Sequence, residues 1–143
     1  VIFLFDLDGT LCDGAHRMHY IQGDKKDWNA FFAAANEDLP IFETITIARA
    51  LFKNNTILLS TGRSESIRQL TADWMVKYRV PYQGLWMRKV NDHRPDTIVK
   101  SELLDDIIKR YPKVDGVFED RASVVEMYRA RGLRVYQVAQ GDF

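Results

Sequence analysis

Short, almost wholly apolar runs alternate along this chain with longer segments in which apolar residues recur every three or four positions. The short runs are Val1 to Phe5, Thr56 to Leu59, Gly84 to Met87, Val114 to Phe118 and Leu133 to Val138. Their length and bounding polar residues predict strands. Between them, Glu43 to Lys53 aligns Ile45, Ala48, Leu51 and Phe52, and Ser64 to Tyr78 aligns Ile67, Leu70, Trp74 and Tyr78. Thr97 to Tyr111 aligns Ile98, Leu103, Leu104, Ile107 and Ile108, and Ser123 to Arg131 aligns Val124, Met127 and Tyr128. That period predicts helices with one buried face. Apolar strands separated by amphipathic helices predict an α/β fold, a parallel sheet sandwiched by helices on both faces. Cys12 to Pro40 breaks the rhythm. It carries a helical pattern near Asp27 to Ala35, with Trp28, Phe31 and Phe32 supplying apolar surface. We read it as a small helical cap insertion, about residues 12–40, over the sheet end of one domain spanning 1–143.

Composition narrows the function. At 46% hydrophobic and 12% aromatic, the 143 residues can bury a substantial core. Twenty basic residues balance twenty acidic ones, so there is no basic excess of the kind that drives sequence-blind binding to nucleic acid, although a local basic groove stays open. Cys12 is the one cysteine, which excludes an internal disulfide and fits a reducing, cytoplasmic compartment. No apolar run approaches the roughly 20 residues of a membrane span, and no signal-peptide pattern is present.

The polar clusters fall at strand ends, where open α/β sheets collect ligands. Asp6 and Asp8 leave the first strand in Asp6-Leu7-Asp8-Gly9-Thr10. One carboxylate there can attack phosphorus and form an acyl phosphate, while the other serves as general acid and then base. A plain strand-end turn is the competing reading, since Asp-Gly is common turn chemistry. Phosphate and carboxylates repel, so the site calls for a cation, and Mg²⁺ suits oxygen donors. Ser60-Thr61-Gly62-Arg63, read as opening a helix at Ser64, offers a hydroxyl, backbone N–H groups and a guanidinium to phosphate, or else an ordinary cap. Asp96 and Lys100, one helical turn apart, place a lysine that Asp96 could orient, or form an exposed ion pair. Glu119-Asp120 can complete a metal site beside Asp6, or cap a helix. Four strand or helix ends carrying nucleophile, hydroxyl, lysine and metal carboxylate in that order favour phosphotransfer over four unrelated caps. Trp28, Phe31 and Phe32 are read as packed side chains that leave base stacking open.

On these residues the chain resembles the haloacid dehalogenase-like superfamily of phosphohydrolases, whose four motifs match Asp6/Asp8, Thr61, Lys100 and Glu119-Asp120. The resemblance implies a Rossmann-like core with a variable cap. A narrower resemblance is to the 3′-phosphatase domain of phage-type polynucleotide kinase-phosphatases. It rests on Val124 to Tyr128, on Tyr136 to Phe143, on Arg17 eleven residues after Asp6, on Arg63, and on Asp96 with Lys100. It implies a Mg²⁺-dependent phosphomonoesterase acting on nucleic-acid 3′ ends, in a cytoplasm that for a phage protein is the host's. Asp6 is then the nucleophile and Asp8 the acid–base. Thr61, Gly62, Arg63, Arg17, Asp96 and Lys100 serve the phosphate. Asp6, the Asp8 carbonyl and Asp120 hold the metal, with Glu119 behind them. Where the family has two aspartates in the last motif, this chain has Glu119-Asp120, and it has no phosphate-binding loop of a kinase. The alternatives are a nucleotidase acting on free deoxynucleoside monophosphates, with a cap aromatic stacking the base, and a non-catalytic end-binding module. The intact Asp6 and Asp8 disfavour the latter.

Overall fold

The computed structural model describes residues 1–143. In chain order the elements are β1 (Ile2–Phe5), β2 (Cys12–Asp13), α1 (Trp28–Ala33), β3 (Leu39–Pro40), α2 (Phe42–Phe52), β4 (Thr56–Ser64), α3 (Arg68–Lys77), β5 (Gly84–Arg88), α4 (Asp96–Arg110), β6 (Gly116–Arg121), α5 (Ala122–Ala130) and β7 (Val135–Gly141). Five strands form one parallel sheet in the order β5-β4-β1-β6-β7. The expected Rossmann-like sandwich is therefore present. Alternation along the strands decides which helices cover which face. Phe5, Ile57 and Leu59 pack with Ile45, Ala48, Trp74 and Met75 of α2 and α3. Leu4, Leu58 and Val117 pack with Leu104, Ile107, Val124 and Tyr128 of α4 and α5. Each fully buried aliphatic side chain contributes roughly 1.5–3 kcal/mol by leaving water, and the paired clusters fix the register of the sheet between them.

That register builds the crevice. Phe5 lies opposite both Leu59 of β4 and Phe118 of β6. The residues that follow these three, Asp6, Ser60-Thr61 and Glu119-Asp120, therefore emerge side by side. From β1 the chain winds to β4 and β5 on one side and to β6 and β7 on the other, and such a reversal opens the binding crevice of a doubly wound sheet.

Two boundaries differ from the sequence reading. The strand β4 runs on through Ser64, and α3 opens only at Arg68 after a 3-10 turn over Glu65–Ile67. Ser60 to Arg63 is thus an extended strand end, bulged against β5 between Thr61 and Ser64, and not a helix N-terminus. Between β1 and α2, the antiparallel pair β2–β3 ties Cys12 to Pro40 and Asp13 to Leu39. It frames 3-10 turns at Ala15–Ile21 and Ala34–Glu37 around α1. No residue of α1 is fully buried, so Trp28, Phe31 and Phe32 stand outside the core that sequence suggested for them, with Phe31 and Phe32 half-buried and Trp28 exposed.

Candidate active site

Asp6 leaves β1 with its N–H donated to Phe118 O at 3.0 Å, which locks the turn onto β6. Its side chain is almost fully buried. One oxygen accepts from Lys100 Nζ at 2.6 Å and the other from Thr10 Oγ1 at 3.0 Å. Lys100 reaches down from the first turns of α4 and also donates to Glu119 Oε2 at 2.7 Å. The other Glu119 oxygen accepts the backbone N–H groups of Asp120 and Arg121 at 3.1 and 3.2 Å. Asp120 turns toward Asp6, and carboxylate oxygens of Asp6, Glu119 and Asp120 lie within 4.8 Å of one another. Gly9 makes this possible. Its φ is +83°, and a Cβ there would collide with the Asp120 carboxylate.

Three carboxylates around one ammonium carry excess negative charge in a poorly solvated pocket. Burial, then the charge of Glu119, pushes Asp6 up to about 7 against the pull of Lys100. Burial, then Asp6, raises Asp120 to about 6. Burial disfavours the Lys100 ammonium, yet Asp6 and Glu119 outweigh it and hold the lysine charged. An all-oxygen cluster short of positive charge fits a hard divalent cation such as Mg²⁺.

Asp8, two residues on, meets the opposite environment. Arg17 donates to it at 2.8 Å, and Arg63 donates from NH2 at 2.8 Å and from Nε at 3.1 Å. Burial works against ionisation, but the Arg63 charge and its hydrogen bonds, with Arg17 behind them, hold Asp8 well below the usual carboxylate range. Both arginines are closed off from below by Asp38, which is 0% exposed. Arg17 Nε and NH2 reach it at 2.7 and 2.9 Å, and Arg63 NH2 at 2.9 Å. Arg63 also touches Thr71 Oγ1 and Cys12 Sγ. Arg17 and Arg63, expected from sequence to hold phosphate oxygens, meet carboxylates here in a neutral, alternating quartet of Asp8, Arg63, Asp38 and Arg17.

Asp96 also differs from expectation. It opens α4 but does not orient Lys100. Its carboxylate accepts from Arg88 and, at 2.8 Å, from Arg121, while the lysine passes it toward Asp6. Gly62 makes room, because a Cβ there would lie 2.5 Å from Asp96 Oδ1. The Gly62 carbonyl accepts from Arg88 Nε at 2.7 Å. Thr61 is buried, and its hydroxyl accepts the Arg63 N–H at 3.1 Å.

Comparison with known proteins gives the family. Residues 1–143 match the family described as the polynucleotide kinase PNKP phosphatase domain. The chain belongs to that family. Among relatives, a putative bifunctional polynucleotide kinase/RNA ligase of Autographa californica nuclear polyhedrosis virus is 30% identical over 129 residues, 88% of this chain and 17% of the relative. A solved chain in the structure of the Pnkp1/Rnl/Hen1 complex superposes with TM-score 0.87 at 32% identity, covering 99% of this chain and 47% of the other. A haloacid dehalogenase family enzyme of Bacteroides thetaiotaomicron, in complex with magnesium and inorganic phosphate, shares the fold alone, with TM-score 0.61 at 11% identity over 99% of this chain and 96% of the other. The first two relatives are more than twice as long as this PNKP-type phosphatase domain.

The structure gathers Asp6, Lys100, Glu119 and Asp120 in one group and Asp8, Arg17 and Arg63 in another, both on the turn after β1, while Asp96 and Gly62 share Arg88 beside them. It also adds Thr10, Asp38, Arg88 and Arg121. Arg121 directly follows Asp120 and Thr10 closes the Asp-x-Asp-Gly-Thr turn, so adjacency to a motif could have found both. Asp38 lies in the insertion far from any motif, and only the fold reveals it.

Proposed function

We propose that this PNKP-type domain hydrolyses the phosphomonoester at the 3′ end of a polynucleotide, with Mg²⁺, through an aspartyl phosphate on Asp6. The observation that carries the reading is the buried Asp6 carboxylate, oriented from two sides by Lys100 and Thr10, at the end of the central strand. An Asp6 oxygen attacks phosphorus, and the bond to the sugar oxygen breaks. The leaving oxygen takes a proton from Asp8, which then receives one from the water that cleaves the acyl phosphate. Lys100 sits where it can neutralise the transferring group. Mg²⁺ held by Asp6, Asp120 and the Asp8 carbonyl would supply charge stabilisation at the phosphoryl oxygens, with Glu119 anchoring Lys100 from behind.

Asp8 is ionised in the resting arrangement, which suits its second task. Its first task needs a proton. A phosphate dianion entering beside Arg17 and Arg63 competes for their charge and loosens their hold on Asp8, so substrate itself raises the proton affinity of the acid.

Polynucleotide ends are favoured over free nucleotides because of the family and its relatives. RNA is the first strand to test, since a relative with TM-score 0.83 and 30% identity comes from the Pnkp1/Rnl/Hen1 RNA repair complex. The test is Mg²⁺-dependent phosphate release from 3′-phosphorylated RNA and DNA oligonucleotides against nucleoside 3′- and 5′-monophosphates. The expected result is preference for the oligonucleotides and loss of about a thousandfold or more on Asp6→Asn. Strong mononucleotide preference would overturn the substrate assignment, and full activity of Asp6→Asn would overturn the nucleophile.

A further inference from the structure

The helix α1 carries three aromatic rings, and the core takes none of them. Trp28 is 47% exposed. Its indole meets the Phe31 ring edge-on, with centroids 5.7 Å apart and planes at 89°, and lies 6.0 Å from Phe32. Phe31 and Phe32 meet at 5.4 Å. The helix is short, but Asp27 caps it by accepting the Ala30 N–H at 3.0 Å. The rings thus brace one another on a fixed backbone while leaving the indole open to solvent.

This cluster is joined to the reaction site through one side chain. The Arg17 guanidinium stacks on Phe31, with Cζ 4.3 Å from the ring centroid, and donates to Asp8 at 2.8 Å. The contacts Asp8–Arg17, Arg17–Phe31 and Phe31–Trp28 thus run without a break from the turn after β1 to the exposed indole. Charge says which part of the substrate the segment suits. Asp24, Lys25, Lys26 and Asp27, just before the helix, sum to zero, so they offer a strand's phosphodiesters little net attraction. The Lys26 ammonium lies 5.9 Å from the indole centroid over the ring, and the half-exposed indole still offers a flat edge and face that every nucleobase can match.

We infer that Trp28, braced by Phe31 and Phe32, is the stacking platform for the nucleobase that carries the phosphate to be removed. The inference rests on the proposed phosphatase reading and adds to it the residue that recognises the terminal nucleoside. It makes the cap a sensor for the presence of a base and not for its identity, because stacking is tolerant of sequence.

The experiment compares two 3′-phosphorylated oligonucleotides, alike except that one has a tetrahydrofuran abasic residue at the 3′ terminus, with glycerol 2-phosphate as a substrate that has no ring to stack. The wild-type domain is expected to prefer the intact terminus by about tenfold in kcat/KM, carried by KM, in line with one stacking contact. Trp28→Ala is expected to bring that ratio close to one, with glycerol 2-phosphate hydrolysis reporting the state of the reaction site, while Trp28→Tyr restores the preference. A ratio in Trp28→Ala equal to the wild-type ratio overturns the platform, as does a matching fall in glycerol 2-phosphate hydrolysis. If the wild-type domain hydrolyses glycerol 2-phosphate but neither oligonucleotide, the proposed substrate class fails and the platform falls with it. That result is distinct from oligonucleotide turnover with undiminished base preference in Trp28→Ala.

Discussion

Replacing Asp38 by Asn tests whether the arginine pair is held from below as the geometry demands. Asn keeps the shape of the side chain and leaves intact the backbone carbonyl that accepts Trp74 Nε1 at 2.9 Å. It removes one negative charge from a quartet in which Arg17 and Asp38 have side chains 2% and 0% exposed. Breaking a buried ion pair by removing one partner costs roughly 3–5 kcal/mol, mostly because a charge is left buried without compensation. Here the loss is partial, since Asp8, whose side chain is 41% exposed, still faces both guanidinium groups. We therefore expect the lower end, about 3 kcal/mol. At roughly 3 °C per kcal/mol for a chain of this size, the melting temperature should fall by about 10 °C. Calorimetric melting at neutral pH without metal reads this directly. Activity should fall more than stability, because both guanidinium groups then bear on Asp8 alone and keep its proton off. The fall should be larger for an oligonucleotide 3′-phosphate than for p-nitrophenyl phosphate, whose leaving group needs no proton. A melting temperature within about 2 °C of wild type, with unchanged activity, would refute the idea that Asp38 holds the arginines.

Lys100→Met should destabilise the metal-free domain by about 3 kcal/mol, because it leaves Asp6 and Glu119 facing each other unneutralised; an unchanged urea midpoint would contradict that arrangement. Asp8→Asn should cost far more on a sugar-oxygen leaving group than on p-nitrophenolate, and equal losses would remove Asp8 from leaving-group protonation. Asp6 and Asp120 are raised to about 7 and about 6 from 3.8, so between pH 4 and 7 the folded metal-free state binds more protons than the unfolded chain. Its stability should therefore rise as pH falls from 8 toward 5, a trend that denaturant unfolding at several pH values reads and that a flat or opposite slope would refute. Mg²⁺ prefers the ionised cluster, so its affinity should increase from pH 6 to 8 with proton release, measurable by titration calorimetry in buffers of different ionisation enthalpy; affinity independent of pH would count against Asp6 and Asp120 as its ligands.

How far sequence reaches is visible in particular residues. The sheet was legible because its strands are apolar on both faces and its helices on one, patterns set by burial alone. Asp6, Asp8, Lys100 and Asp120 were legible because each sits where a strand or helix begins or ends. Partnership was not legible. Asp96 and Lys100 lie one helical turn apart, yet Asp96 turns to Arg88 of β5 and Arg121 of β6, a choice made by tertiary neighbours. Arg63 was read toward phosphate from its charge and Arg17 from the family resemblance, whereas their shared partner Asp38 comes from the insertion, and no local pattern ties it to Arg63, 25 residues away. The helix expected from Ser64 gave way to a longer β4 because the bulge beside β5 continues the strand past Gly62.

Glu119 stood out from sequence as the misfit, and the structure supplies its physical reason. The glutamate spans from β6 to Lys100 with one oxygen while the other closes the strand end by accepting two backbone N–H groups. The extra methylene lets one side chain fix both the lysine and the turn that aims Asp120. Burial, and after it the charge of Glu119, raises Asp6 against the pull of Lys100. The turn after β1 thus separates two carboxylates two residues apart into opposite states: Asp6 is rich in acidic neighbours and receptive to a cation, while Asp8 is neutralised by arginines and already ionised. Environments that drive neighbouring carboxyls apart are how a single scaffold assigns nucleophile and acid–base, and here the division follows from which charged side chains each strand end delivers to the turn.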